Sequence, residues 1–211
     1  MKAFLILVAA LTFALSPFFS PDFSGFDPNL YPVPQNDPVV QPAGWTFAIW
    51  GLIYVGLIIH AAFGLFRHRN DVAWDRGRVA LFISLAVGTF WLPVAVVSPF
   101  WETVLISVML VSVVVSLYQT LNASPQWQAT WPVALYAGWL SAASFVSIGL
   151  ILAGYGVLSE SSAASVALIL ATSFVIINQG LLKHWTYGAS AAWGFVGISV
   201  KNSSSEILIS G

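Results

Sequence analysis

Residues 41–66 read QPAGWTFAIWGLIYVGLIIHAAFGLF, and the basic cluster Arg67, His68 and Arg69 follows directly. Past Pro42 and Gly44 the run continues for about twenty residues without a charge. At about 1.5 Å of rise per residue it spans the roughly 30 Å hydrocarbon core of a bilayer, and it reads as a transmembrane helix over 44–66. Lipid offers no partner to backbone N–H and C=O groups, and a helix satisfies them within the segment itself.

The rest of the chain has the same composition. Of 211 residues, 58% are apolar and only 7% charged, against about a quarter charged in an ordinary soluble domain. So few charges cannot clothe a soluble fold, and most of the surface must face lipid. The apolar runs are continuous and lack the period-two alternation of a membrane β-barrel. The fold class is therefore all-α, a polytopic transmembrane helix bundle. A net charge of −1 with no long basic run argues against a nucleic-acid partner. Cysteine is absent, which excludes disulfides, thiolate metal sites and cysteine nucleophiles.

In chain order, residues 3–19 form a first apolar run, read as a retained helix rather than a cleaved signal, with Pro17 marking its end. Residues 20–41 carry Pro21, Pro28, Pro32, Pro34 and Pro38 with Asp22, Asp27 and Asp37 and no Lys or Arg. This is an extended loop expected on the outer side. The connection 67–78, RHRNDVAWDRGR, is rich in Arg and expected in the cytoplasm, together with the N-terminus. Further helices are expected over 78–98, 102–121, 132–152 and 163–182. A shorter run over 187–200 is expected to be tilted, partly inserted or re-entrant.

Tryptophan is the compositional outlier, with ten in the chain. Trp45, Trp101, Trp127, Trp131 and Trp185 at expected helix ends, and Trp74 in the basic connection, read as an aromatic belt at headgroup level. Trp50, Trp91, Trp139 and Trp193 lie inside their segments, where an indole N–H needs a partner, and are candidates for a bundle interior or a ligand cavity. Trp50 and Tyr54 share a face with Leu57 and Ala61. Phe90 and Trp91 precede Pro93, and Tyr136, Trp139, Ala142, Ala143, Ser144 and Ser147 combine rings with small residues. Such a lining suits a flat, largely hydrophobic molecule.

Residues 42–54, PAGWTFAIWGLIY, look like the second-helix signature of the TspO/MBR family, the tryptophan-rich sensory proteins related to the mitochondrial translocator protein. Residues 88–94, GTFWLPV, resemble its third-helix motif, and 131–144 sit where its fifth-helix motif would. The resemblance covers about residues 1–152. It implies a five-helix bundle over 1–152 with a pocket beneath the long first loop, and leaves 153–211 as a C-terminal extension with one or two further membrane helices. It also implies binding of porphyrins and other tetrapyrroles, sterols or synthetic aromatic compounds. Carried over by position, Trp50 matches the pocket tryptophan, and Phe90 and Trp91 match aromatics near it. Gly88, Tyr136 and Ser144 depart from the family's usual Asn, Trp and Asn, and each changes a hydrogen-bonding or stacking group.

The candidate ligand-binding residues are thus Trp50, Tyr54, Phe90, Trp91, Tyr136, Trp139, Ala143 and Ser144. His60, inside the second helix, reads as an interhelical hydrogen bond ahead of a haem ligand or proton relay. Glu102 reads as a charge at an exposed helix start. Asn178 and Gln179 read as interhelical hydrogen-bonding residues. No catalytic grouping or metal-ligand spacing is found, and the chain is not expected to be an enzyme or to require a cofactor, porphyrin or haem being considered only as a ligand. The expected function is an integral membrane receptor, sensor or carrier. The alternatives are a small transporter, with His60, Asn178 and Gln179 along its path, or a structural membrane subunit. The expected partners are the lipid bilayer, taken as a bacterial inner membrane, and a hydrophobic small molecule; a homodimer is left open.

Overall fold

A computed structural model describes residues 1–20 and 25–209, with side chains through Ser203. The expected Pro21 and Asp22 of the loop lie outside the described residues. Among the described residues eight α-helices follow one another: α1 Lys2–Leu15, α2 Ile49–Phe66, α3 Val72–Ala95, α4 Pro99–Thr120, α5 Gln126–Ala129, α6 Trp131–Gly154, α7 Glu160–Leu182 and α8 Trp185–Ile209. There is no strand among the described residues. Six helical segments among the described residues are long and apolar enough to cross a membrane, those of α1, α2, α3, α4, α6 and α7. The chain is an all-helical integral membrane protein.

Local chemistry moves several boundaries from those expected. Helix α3 starts at Val72 and not near 78, because the Asp71 carboxylate accepts the N–H groups of Ala73 and Trp74 and nucleates the first turn inside the basic segment. Ser98 and Ser159 cap α4 and α7 in the same way. The run expected over 187–200 is longer than expected: α8 is a continuous helix of 25 residues that carries on through the polar KNSSSE stretch. Its hydrophobic length is short while its helical length is not, which is why hydropathy alone misjudged it.

Helix α6 is the axis of the bundle and packs against α2, α4, α7 and α8. Its buried surface includes Ala134, Ala137, Gly138, Ser141, Ala142, Ser144 and Gly149, small residues that let neighbouring backbones approach from several sides. At Gly138 a Cβ would collide with the carbonyl oxygen of Tyr187 in α8, so this crossing requires glycine. Helix α1 packs on α2 and α3 and places Phe13 in the main core, its ring edge-on to Trp50 and Tyr54.

The bundle has two distinct ends. At one, the proline-rich segment is laced down onto the helices: Val33 N–H donates to Gly154 O at 2.8 Å, and Val39 N–H to Glu160 Oε1 at 3.2 Å. Helix α8 contributes most of the remaining ties. Lys201 pairs with Asp37 at 2.6 Å and donates to Pro38 O, Asn202 donates to Val39 O, and Ala43 N–H donates to Gly197 O. Gly197 has no room for a Cβ because Thr46 lies against it. The other end carries the basic connection. There the buried Arg78 guanidinium donates to the carbonyls of Gly64, His68 and Arg69 and pairs with Asp75, satisfying carbonyls exposed where α2 ends.

Candidate functional site

Three indoles converge beneath the proline-rich roof. Trp50 is borne by α2, Trp91 by α3 and Trp139 by α6, with ring centroids 5.5 Å apart for Trp50–Trp91 and 6.2 Å for Trp50–Trp139. They line one cavity with Phe47, Ala142, Ala143, Val146 and Ser147, and Phe26 and Gln41 contribute from the roof. The void measures about 560 Å³ including its open mouth, of which about 40 Å³ has room for the centre of a water molecule.

Helical geometry sorts the expected residues. Trp50, Trp91, Trp139 and Ala143 line the cavity. Tyr54, one turn along α2, stacks on Trp50 at 5.5 Å and supports it from behind. Tyr136 is fully buried, accepts a hydrogen bond from Ser84 Oγ at 3.1 Å and braces Trp50 from α6. Ser144 donates to Ile106 O and joins α6 to α4. These three form the shell around the cavity and not its wall. Phe90 is not part of either: it is 66% exposed on the outer surface of α3. Adjacent helical residues point about 100° apart, so Phe90 cannot follow Trp91 inward.

Two further tryptophans depart from the sequence reading. Trp193 does not reach the cavity; it is partly exposed, donates to Thr46 O at 2.9 Å and packs edge-on against Trp45. Trp74 is no belt residue. It is 2% exposed, donates to Ser124 O, and stacks with His68 at 4.5 Å and with His60 at 5.0 Å. His60 makes the expected interhelical bond, Nδ1 to Gln128 O at 3.1 Å. Asn178 lies elsewhere, accepting from Tyr118 on α4, and Gln179 abuts Gly188 of α8. Among the described residues no hydrogen bond joins Asn178 or Gln179 to His60.

The residue that sequence reasoning missed is Glu102. It is 1% exposed, not at an open helix start, and it lines the cavity. Its Oε1 accepts the Trp91 indole N–H at 2.7 Å and the Ser147 hydroxyl at 3.3 Å. The signal was present in principle: Ser98 and Pro99 begin α4 a full turn earlier, which places Glu102 within the bundle's depth. Nearby, the Tyr31 hydroxyl is buried without a partner, and burial together with the Glu102 charge raises the phenol above its ordinary pKa. The Trp139 indole N–H is likewise buried with no acceptor.

A helical membrane bundle with an aromatic cavity under a laced proline-rich loop defines the class of protein. Residues 32–211 match the family model described as TSPO-like protein, and the chain belongs to that family. The match supports the TspO/MBR resemblance and takes in α2 to α8, with α1 lying before it. No curated protein and no solved structure matches the chain.

Proposed function

We propose that this protein is a membrane receptor or carrier that holds a flat hydrophobic ligand, of the tetrapyrrole class that the family resemblance implies, in the cavity walled by Trp50, Trp91 and Trp139. The convergence of three indoles from three helices on one void carries this reading. Aromatic faces offer stacking and a large apolar contact at low rotamer cost. The space open to water is far below the about 300–1,000 Å³ of a site for a drug-sized ligand, so binding involves parting the roof of Phe26 and Gln41 from the rings beneath it. The roof end faces outward and the Arg-rich end the cytoplasm.

Tryptophan quenching of the purified protein by protoporphyrin IX or haem tests this. We expect saturable quenching, weakened about tenfold or more by Trp50→Ala and unchanged by Trp127→Ala, a half-exposed residue at the opposite end. Equal effects of the two substitutions would remove the site assignment, and linear, unsaturable quenching would remove the reading itself.

A further inference from the structure

The apolar cavity contains one carboxyl group and one orphan donor, and they bear on what polar groups a ligand should bring. Glu102 stands among seventeen lining residues that include no Lys, Arg or His, and no described cationic side chain pairs with it. Its Oε1 is occupied by donors from Trp91 and Ser147. Its Oε2 has only Thr103 within reach at 3.3 Å, and the single proton of that hydroxyl has a shorter acceptor in Pro99 O at 2.9 Å. Oε2 is thus an acceptor without a committed donor. A buried carboxylate in apolar surroundings is costly until a donor or a cation meets it. Trp91 meets it with the N–H edge of its indole, and Trp50 and Trp139 line the same cavity; an indole face attracts a cation that reaches it. Trp139 presents the opposite requirement, a buried N–H with no acceptor.

We propose that the cavity selects hydrophobic organic cations: a flat aromatic ring system bearing a protonated amine or amidine-like N–H that donates to Glu102 Oε2. The Trp139 Nε1–H is left for ligands that also carry an acceptor, and the preference for a cation does not depend on it. The proposal rests on the cavity being a ligand site and names the chemistry of its ligand. An anionic compound such as a porphyrin dicarboxylate has to keep its carboxylates at the mouth, away from Glu102, whereas an aminated heteroaromatic ring places its charge against it.

Three tricyclic probes of one shape and different charge test the idea: 9-aminoacridine, a cation at neutral pH, acridine, which is neutral, and acridine-9-carboxylate, an anion. Equilibrium dialysis against the full chain in a neutral detergent measures each affinity. We expect 9-aminoacridine to bind about 10- to 100-fold tighter than the other two, as a charge-assisted hydrogen bond would give. Glu102→Gln keeps an acceptor for the Trp91 and Ser147 donors and removes the charge; it should abolish that preference while acridine still binds. Glu102→Asp retains the charge and should preserve the order of affinities. Equal binding of the three probes by the native protein, or an unchanged preference in Glu102→Gln, would overturn the proposal and leave the ligand site standing. Absence of saturable binding by all three would overturn both. Should Glu102→Gln fail to fold, native-protein affinities in the order anion above cation would still refute the proposal.

Discussion

The two ends of the bundle both bury ionisable and aromatic groups, and they do so with opposite results. At the Arg-rich end the buried donors of one cluster have their acceptors: Arg78 meets three carbonyls and Asp75, Trp74 meets Ser124 O, and His60 meets Gln128 O. His60 and His68 both stack on Trp74. At the roofed end Glu102, Trp139 and Tyr31 are as deeply buried, yet each keeps a polar atom without a committed partner, two of them on the wall of a cavity. Buried polar groups are ordinarily satisfied, so a saturated cluster reads as architecture, and an unsaturated one beside a void is in keeping with the ligand site proposed above.

The contrast is broken most directly through Arg78. Arg78→Met keeps most of the side chain's length and strips the donors from the carbonyls of Gly64, His68 and Arg69, all in a position where the side chain is 5% exposed. Thermal or denaturant unfolding in detergent should show a loss of about 3 kcal/mol or more. Ligand affinity of the fraction that folds should be unchanged. Glu102→Gln should show the reverse, little change in unfolding and altered ligand selection. Should Arg78→Met change ligand affinity, or Glu102→Gln destabilise as strongly as Arg78→Met, the division between architecture and site would not hold.

Much of this organisation is legible in the sequence, and what is not has identifiable causes. Long uncharged runs disclose α2, α3, α4, α6 and α7, because lipid demands the same apolar length of each. Motifs around Trp50, Trp91 and Trp139 disclose the cavity wall, because their depth within a helix excludes a headgroup position. Glu102 and Trp74 are misread for one shared reason: charge and composition suggest a surface, while the capping residues Ser98 and Asp71 start the helices early enough to carry both inward. Phe90 is misread because a motif match extends over neighbours that a helix must point apart. The last helix escapes hydropathy because its partners are the loop and α6, not lipid alone: Lys201 and Asn202 are polar for the sake of Asp37 and Val39.

That helix supplies a second, smaller way to sharpen the comparison. Gly138 lets α8 lie directly on α6, against the Tyr187 carbonyl, and α8 in turn holds the roof. Gly138→Val forces the two helices apart and should destabilise by about 1–3 kcal/mol, the usual cost of overpacking. Because Trp193 and Gly197 tie α8 to residues 43–46, the same substitution should loosen the roof and accelerate ligand dissociation. Arg78→Met, at the far end, should not affect that rate. A slower or unchanged off-rate in Gly138→Val, measured by stopped-flow recovery of tryptophan emission, would separate α8 from the site.

The smallest effect is expected at the ion pair between Lys201 and Asp37. The pair is short, 2.6 Å, but the Asp37 side chain is 77% exposed while that of Lys201 is 15% exposed. Water and salt screen the exposed partner, so Asp37→Asn should lower stability by no more than about 1 kcal/mol, and less at high ionic strength. Lys201 keeps its bond to Pro38 O, and the backbone ties of Val33, Val39 and Ala43 do not depend on the charge. The roof should therefore stay in place and ligand affinity should change less than about fivefold, the bound set by a contact of about 1 kcal/mol. A tenfold loss of affinity in Asp37→Asn, reversed in Asp37→Glu, would mean that the roof is held by charge rather than by its backbone bonds, and that the cavity is governed from α8.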